Sequence, residues 1–244
     1  MNNTYKYTHQ INYSEIESRA KMRLDCVSAH FQQATTFHAK EMGIDGENTV
    51  NKSNAYWVLS RIKLKLFEVP SLYDVVEVET FPTSVSAVRF NRDYKLNKDG
   101  KCLICGTSEW CCLDKDTLAI RRTDSICYPK DLEHRVDRSG AGEFLKVRES
   151  VEEKDFNHIE YSRFCDIDSN NHTNNVAYVK MALNCFSPRE YQSLNVDEIE
   201  ITYNAQTYFG DEIAIYKKQT DYGYYIEGIC RDKKTFTLTI KVVK

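Results

Sequence analysis

Asp166-Ile-Asp-Ser-Asn-Asn-His-Thr-Asn-Asn175 leads directly into Val176, Val179, Ala182, Leu183 and Phe186, which are apolar residues at helical spacing. A fainter copy of this arrangement occurs earlier in the chain. Glu15-Ile-Glu-Ser18 opens a longer periodic stretch: Ile16, Ala20, Leu24, Val27, Phe31, Ala34 and then Phe37 or His38. The two tetrapeptides begin at 15 and 166, 151 residues apart. Each therefore stands just ahead of an amphipathic helix, expected over about 15–42 and 174–186. Ser14 with Glu17 would cap the first as a capping box, and Gly43 would end it.

Alternating strands follow both helices. In the first half they are Trp57–Leu66, Asp74–Phe81, Val88–Lys95, Cys102–Leu113 and Thr117–Arg121, with turns at Lys98-Asp-Gly100 and Asp114-Lys-Asp116. Within Trp57–Leu66, the spacing puts Val58, Ile62, Leu64 and Leu66 on one face and Arg61, Lys63 and Lys65 on the other. The second half opens with a short strand around His158–Cys165. After its helix come Ile199–Tyr203, Asp211–Lys217, Tyr224–Arg231 and Thr235–Val243. Tyr73-Asp-Val-Val-Glu77 resembles Phe209-Gly-Asp-Glu-Ile213, and Asp99-Gly100 corresponds to the turn at Arg231-Asp-Lys233. The same order of elements twice implies an internal duplication and an α+β fold, each sheet wrapping its helix. Residues 129–157 are charged, carry Gly140 and Gly142 and show no period. They divide the chain into a unit over 1–128, a linker over 129–157 and a unit over 158–244.

The bulk properties exclude several classes. The 244 residues are 41% hydrophobic and 28% charged, as in a folded globular chain, and a net charge of −3 gives no footprint for nucleic acid or an anionic membrane. No apolar run approaches the ~20 residues of a membrane helix, and Met1–Gln10 has no signal-peptide core. Nine cysteines, an odd number, read as reduced thiols of a cytoplasmic protein. Cys102/Cys105 and Cys111/Cys112 have no accompanying histidine cluster. They read as small buried strand residues, over a stretch expected to form two short strands, rather than as a metal or redox centre. His9, His30, His38, His134 and His158 have no carboxylate cluster close in sequence. His30 and His38 read as packing residues of the first helix. Arg61, Lys63 and Lys65, with Arg89, Arg92, Arg121 and Arg122, read either as solvated faces or as a surface for an acidic partner.

The stretch at 166–175 holds far more Asx residues than one helix cap needs, and it also holds a histidine. A helix N-terminus offers unpaired N–H groups and the positive end of a dipole, which can hold an oxyanion. His172 has the chemistry of a general acid or base, Asp168 could orient it or activate water, and Asn170 can bind a carbonyl or a water. The first half lacks such a cluster, which places the chemistry in the second.

Asp166-Ile-Asp-Ser-Asn-Asn-His-Thr-Asn-Asn-Val-Ala-Tyr178 resembles the signature of the acyl-acyl-carrier-protein thioesterases of plants and bacteria. The likeness extends to Trp57-Val-Leu-Ser-Arg61, Tyr73-Asp-Val-Val-Glu-Val-Glu79, Ser108-Glu-Trp110 and Arg121-Arg122. It implies a tandem (double) hot-dog fold, with an N-terminal unit holding the acyl chain and a C-terminal catalytic unit. It further implies hydrolysis of acyl-acyl carrier protein to free fatty acid without cofactor or metal, with Asp168, Asn170 and His172 as catalytic residues. The family's further Glu and Cys fall on Gln206 and Thr207 of Tyr203-Asn-Ala-Gln-Thr207. Gln206 cannot accept a proton as a carboxylate can. Thr207 leaves no thiol nucleophile there, and Cys165 and Cys185 read as core, so direct attack by water is expected. Acyl carrier protein is the implied partner, and a homodimer stays open. Two alternatives remain: an acyl-coenzyme A thioesterase, or a hot-dog protein that binds acyl thioesters without cleaving them.

Overall fold

The two loops at 15–23 and 166–174 have the same backbone in the computed structural model, which describes residues 2–243. Each begins with a 3-10 turn, Tyr13–Glu15 and Phe164–Asp166. Isolated bridges then join Ile16 to Met22 and Ile167 to Thr173. The Glu17 N–H donates to the Lys21 carbonyl and the Asp168 N–H to the His172 carbonyl, both at 2.8 Å. Arg23 N–H reaches the Glu15 carbonyl (2.8 Å) as Asn174 N–H reaches that of Asp166 (2.7 Å). Ala20 and Asn171, at φ 59° and 62°, are both left-handed. Every pair lies 151 positions apart, the spacing of the tetrapeptides.

This loop displaces the expected start of the first helix. Left-handed Ala20 and the bridged backbone cannot be helical, so α1 runs Leu24–Glu41 and not from residue 15. The expected Ser14–Glu17 box is instead formed by Asn12 and Glu15 around the 3-10 turn. Gly43 ends the helix as expected, at φ 67°. The second helix, α3 (Asn175–Leu183), is shorter than expected; Ser187 caps a separate turn, α4 (Pro188–Gln192), with proline in its first turn. A further helix, α2 (Gly46–Ser53), was not legible beforehand.

Ten strands form one continuous antiparallel sheet. They are β1 Tyr5–Gln10, β2 Ala55–Leu66, β3 Val75–Val85, β4 Phe90–Lys98, β5 Lys101–Asp114, β6 Phe156–Tyr161, β7 Val196–Tyr203, β8 Glu212–Thr220, β9 Gly223–Cys230 and β10 Lys233–Val242. Their order is β1-β3-β4-β5-β2-β7-β10-β9-β8-β6. Each half thus has the same internal order, and the two meet where β2 pairs with β7, Arg61 opposite Thr202 and Lys65 opposite Glu198. The two hairpins expected to correspond both turn through left-handed pairs, Asp99-Gly100 and Arg231-Asp232. Cys102–Leu113 lies within a single strand, not two. Thr117–Arg121 forms only a bridge from Ile120 to Leu113.

α1 and α3 lie side by side against the sheet, α1 on β1 and β3 and α3 on β9 and β10. Val27, Phe31 and Ala34 are fully buried, and Phe31 stacks on Tyr94 of β4 at 4.7 Å between ring centres. Gly106 of β5 makes room for this ring; a Cβ there would lie 2.7 Å from Phe31 Cε2. His38 takes the last inward position of α1 and Phe37 points out. Along β2, a bulge between Leu59 and Arg61 resets the alternation. Leu59 therefore joins Ile62, Leu64 and Leu66 inside, and Val58 does not.

The 129–152 stretch crosses the outer face of the sheet as irregular chain. Arg138 pairs with Asp93, the Ser139 hydroxyl donates to the Gly106 carbonyl, and Leu145 N–H donates to Glu200. It covers the basic face expected to be open. Lys63 is buried, bonded to the Glu143 carbonyl and paired with Glu198, while Lys65 pairs with Asp197. Arg92 is buried against His38. Arg61 and Arg89 share Glu109, Arg121 meets Asp114 and Arg122 meets Asp124. No described helix is long and apolar enough to cross a membrane.

Candidate active site at the mouth of the second helix

The loop that opens α3 carries Asp168, Asn170 and His172 on five consecutive positions. Asp168 forms the loop as well as belonging to it: its Oδ1 accepts from the N–H groups of Asn170 (2.8 Å) and His172 (3.3 Å). In the first loop Glu17 does the same for Arg19 N–H at 3.0 Å. Asn170 is exposed and His172 half-buried. The imidazole stands edge-on to the Tyr208 ring, 5.2 Å between centres and 73° between planes. Asn174 caps α3, its side chain accepting the Val176 N–H at 2.9 Å. The Ala177 N–H goes to the Asn174 carbonyl. Of the first-turn donors, that leaves the Asn175 N–H at the positive end of the helix.

Gln206 reaches this rim through its neighbour. Thr207 is buried, and its carbonyl accepts the Thr173 N–H at 2.9 Å. Its hydroxyl lies 2.7 Å from that of Thr173, 3.2 Å from Ser162 and 2.9 Å from Tyr178. The Thr207 N–H also donates to Tyr178. This knot fastens the 204–211 loop to the His172 loop and leaves Gln206 exposed beside it. Asp211 holds the far side, accepting the Tyr208 N–H at 3.0 Å and pairing with Arg231. Tyr203 donates to the Asn175 carbonyl at 3.2 Å, under the first turn of α3. Burial pushes the Tyr178 and Tyr203 hydroxyls above their usual values, so both remain protonated donors.

A cleft of about 310 Å³ adjoins the mouth of α3, lined by Asn174 and Val176 and by Ala29, Gln32, Thr36 and Phe37 of α1. The arrangement can hold a carbonyl at a helix N-terminus, place an imidazole at the rim, and offer a wall from the first half in which Ala29 and Phe37 stand beside Gln32, Gln33 and Thr36. Thr207 is locked in its hydroxyl knot. Cys185 is buried beyond α3, and burial pushes its thiol up to about 12. Cys165 was expected in the core and is instead exposed, on the 3-10 turn before the loop.

The model of the acyl-ACP thioesterase N-terminal domain matches residues 2–128, and that of the C-terminal domain matches 148–240. The chain belongs to the acyl-ACP thioesterase family. Among relatives, the chloroplastic oleoyl-acyl carrier protein thioesterase of Coriandrum sativum is 20% identical over 225 residues, covering 86% of this chain and 61% of its own length. The palmitoyl-acyl carrier protein thioesterase of Arabidopsis thaliana is 24% identical over 191 residues, covering 72% of this chain and 45% of its own. The chain thus spans 61% and 45% of the length of these two relatives. An acyl-ACP thioesterase structure from Bacteroides thetaiotaomicron superposes with a TM-score of 0.86 at 20% identity, covering 99% and 98% of the two chains. The 12:0-ACP thioesterase from Umbellularia californica gives 0.82 at 18%, covering 99% and 97%. The fold of the family, the tandem hot dog, is the fold of this chain.

The loop was legible in sequence because its polar residues are contiguous, and what secures it was not. Ser162, Thr173, Tyr178 and Thr207 are distant in sequence and chemically plain, and only the β7–β8 connection brings them together. His9 and His30 were set aside for want of a nearby carboxylate, yet both bond to Glu15.

Proposed function

We propose that the chain hydrolyses acyl-acyl carrier protein to free fatty acid and carrier protein, by attack of water at the mouth of α3. The observation that carries this reading is the contrast between two loops of equal backbone. Where the first has Glu17, Arg19 and Lys21, the second has Asp168, Asn170 and His172, so of the two loops only the second carries a carboxylate, an amide and an imidazole at alternate positions. The thioester carbonyl points at the Asn175 N–H, whose dipole stabilises the oxyanion. His172 takes the proton of the attacking water and returns it to the departing thiolate. Asn170 and Gln206 fix that water, Gln206 through its carbonyl oxygen. Asp168 sets the loop through Oδ1, leaving its second oxygen for the water or the imidazole. The acyl chain lies against α1, which makes 1–128 the acyl-binding unit and 158–244 the catalytic one; Met1 and Lys244 of these units fall outside the described residues. The free thiols of all nine cysteines support a reducing compartment, the cytoplasm.

The test is free-acid release from acyl-acyl carrier protein, beside the same acyl group on coenzyme A. Faster turnover of the carrier-protein substrate supports the proposal, and a preference for coenzyme A transfers it to that carrier. Gln206 favours one second reading, a protein that binds the thioester without cleaving it. Tight acyl-carrier binding with no release of acid would establish that reading instead.

A further inference from the structure

A cluster in the first half takes no part in the chemistry above. Glu15 on the 3-10 turn, His9 on β1 and His30 on α1 bring three ligand atoms to one point. His30 Nε2 is 2.5 Å from Glu15 Oε1, and His9 Nε2 is 2.8 Å from Oε2 and 3.0 Å from Oε1. All three lie within 4.8 Å of one another, and the two imidazole rings are 4.3 Å apart. The side chains of Glu15 and His30 are 12% and 9% exposed, and that of His9, at 26%, opens the cluster to solvent. Among the described residues no lysine or arginine pairs with Glu15; its partners are the two imidazoles and the Asn12 N–H, which donates to Oε2 at 2.9 Å.

The duplicated half shows how differently the same place can be satisfied. Asp166, the counterpart of Glu15, lies 3.6 Å from Lys180. The positions matching His9 and His30 are Glu160 and Met181. The two-histidine, one-carboxylate set is therefore particular to the first half and is not required by the loop.

We propose that His9, Glu15 and His30 form a binding site for a divalent cation of the zinc type. Two imidazole nitrogens and a carboxylate are the ligands such an ion prefers, with a fourth position left for water on the His9 side. Coordination moves the proton of each imidazole from Nε2 to Nδ1, so no net proton is lost. His30 Nδ1 then donates to the Tyr7 hydroxyl, 2.6 Å away, the outer contact that fixes a ligating ring. Ligand bonds of about 2.0–2.2 Å in a tetrahedral set place neighbouring ligand atoms roughly 3.3–3.5 Å apart, so the imidazoles would draw back from Glu15 by about half to one ångström. The bound ion would offset the charge of Glu15 and staple β1 to α1. It is remote in sequence from the proposed catalytic residues, and its test does not depend on hydrolysis.

The test is titration of the purified full chain with Zn²⁺ against a chromogenic chelator, and with Co²⁺ as spectroscopic probe. One tight equivalent is expected, with a Co²⁺ spectrum lacking thiolate charge-transfer bands and a melting temperature raised by the ion. His9→Gln should weaken binding at least ~100-fold and Tyr7→Phe roughly tenfold, as loss of a ligand and of an outer partner do. Tyr7→Phe leaves all three ligands in place, so it answers the question even if a ligand variant folds poorly. No bound equivalent, a thiolate band from the cysteines, or equal affinity in wild type, His9→Gln and Tyr7→Phe (an adventitious ion only) would each overturn the proposal.

Discussion

Gln206 is the residue on which the proposed chemistry turns. It is exposed on the 204–211 loop, next to the Thr207 that bonds to Thr173, and its amide can orient water but cannot take a proton. Gln206→Glu should therefore raise kcat for thioester hydrolysis by roughly a hundredfold, the lower end of what a positioned base contributes, while KM changes little. Steady-state kinetics on one acyl-carrier substrate checks this, and an unchanged or lower kcat removes Gln206 from the water site. The thiols give a second prediction. Burial pushes Cys112 and Cys185 up to about 12, whereas Cys127 and Cys165 are exposed. A thiol reagent at pH 8 should modify Cys127 and Cys165 first and leave Cys112 and Cys185 unmodified until the chain unfolds; mass spectrometry reads the order. At this scale the loop that carries Asp168, Asn170 and His172 was legible because its polar residues lie on one short segment. Cys165 was misread because a residue before a loop resembles a strand end until the 3-10 turn is seen.

α1 shows what periodicity can and cannot settle. Its inward face was legible from Leu24 onward, but two apolar residues, Ile16 and Ala20, continued the period into a loop. Only backbone hydrogen bonding distinguishes that loop from helix. Strand β1 was missed because its residues, Tyr5 to Gln10, are polar and sit at the sheet edge. The bulge in β2 moved Val58 out of the core because one extra residue reverses the faces that follow. At the other end of α1, periodicity left Phe37 and His38 as equals, and packing chose His38. Its ring is fully buried and its Nδ1 accepts from Arg92 at 2.9 Å. Burial first, and then the Arg92 charge, push its pKa down from 6.5 to about 4. The sign follows from proton uptake: as pH falls, the unfolded chain protonates this histidine before the folded one does. The stability it contributes is whole above pH 6.5 and is lost as pH falls to 4, a difference of about 3 kcal/mol. Denaturant unfolding at pH 7 and pH 4.5 should show this loss in the wild type and a smaller loss in His38→Gln, which keeps an acceptor for Arg92. Equal losses would contradict the assignment.

Across the whole molecule, the repeat spacing was enough to foretell two equal halves, because each strand series follows its helix in the same order. It could not show that the halves share one sheet. That depends on β2 pairing with β7 and on Lys63 and Lys65 meeting Glu198 and Asp197 across the seam, contacts separated by more than a hundred residues. A shared sheet under one linker should unfold as a unit. Both tryptophans, Trp57 and Trp110, lie in the first half, while far-ultraviolet circular dichroism reports on both halves. The two signals should give coincident denaturant transitions; separate midpoints would mean that the halves fold independently. The same asymmetry between equal halves underlies the functional account, in which only the second helix mouth does chemistry. The direct measurement is release of free acid from acyl-acyl carrier protein by the wild type and by His172→Ala, each confirmed folded by its melting temperature. The account predicts a kcat lower by roughly 10²–10⁴ in the variant with substrate binding retained. Undiminished turnover in folded His172→Ala would contradict it.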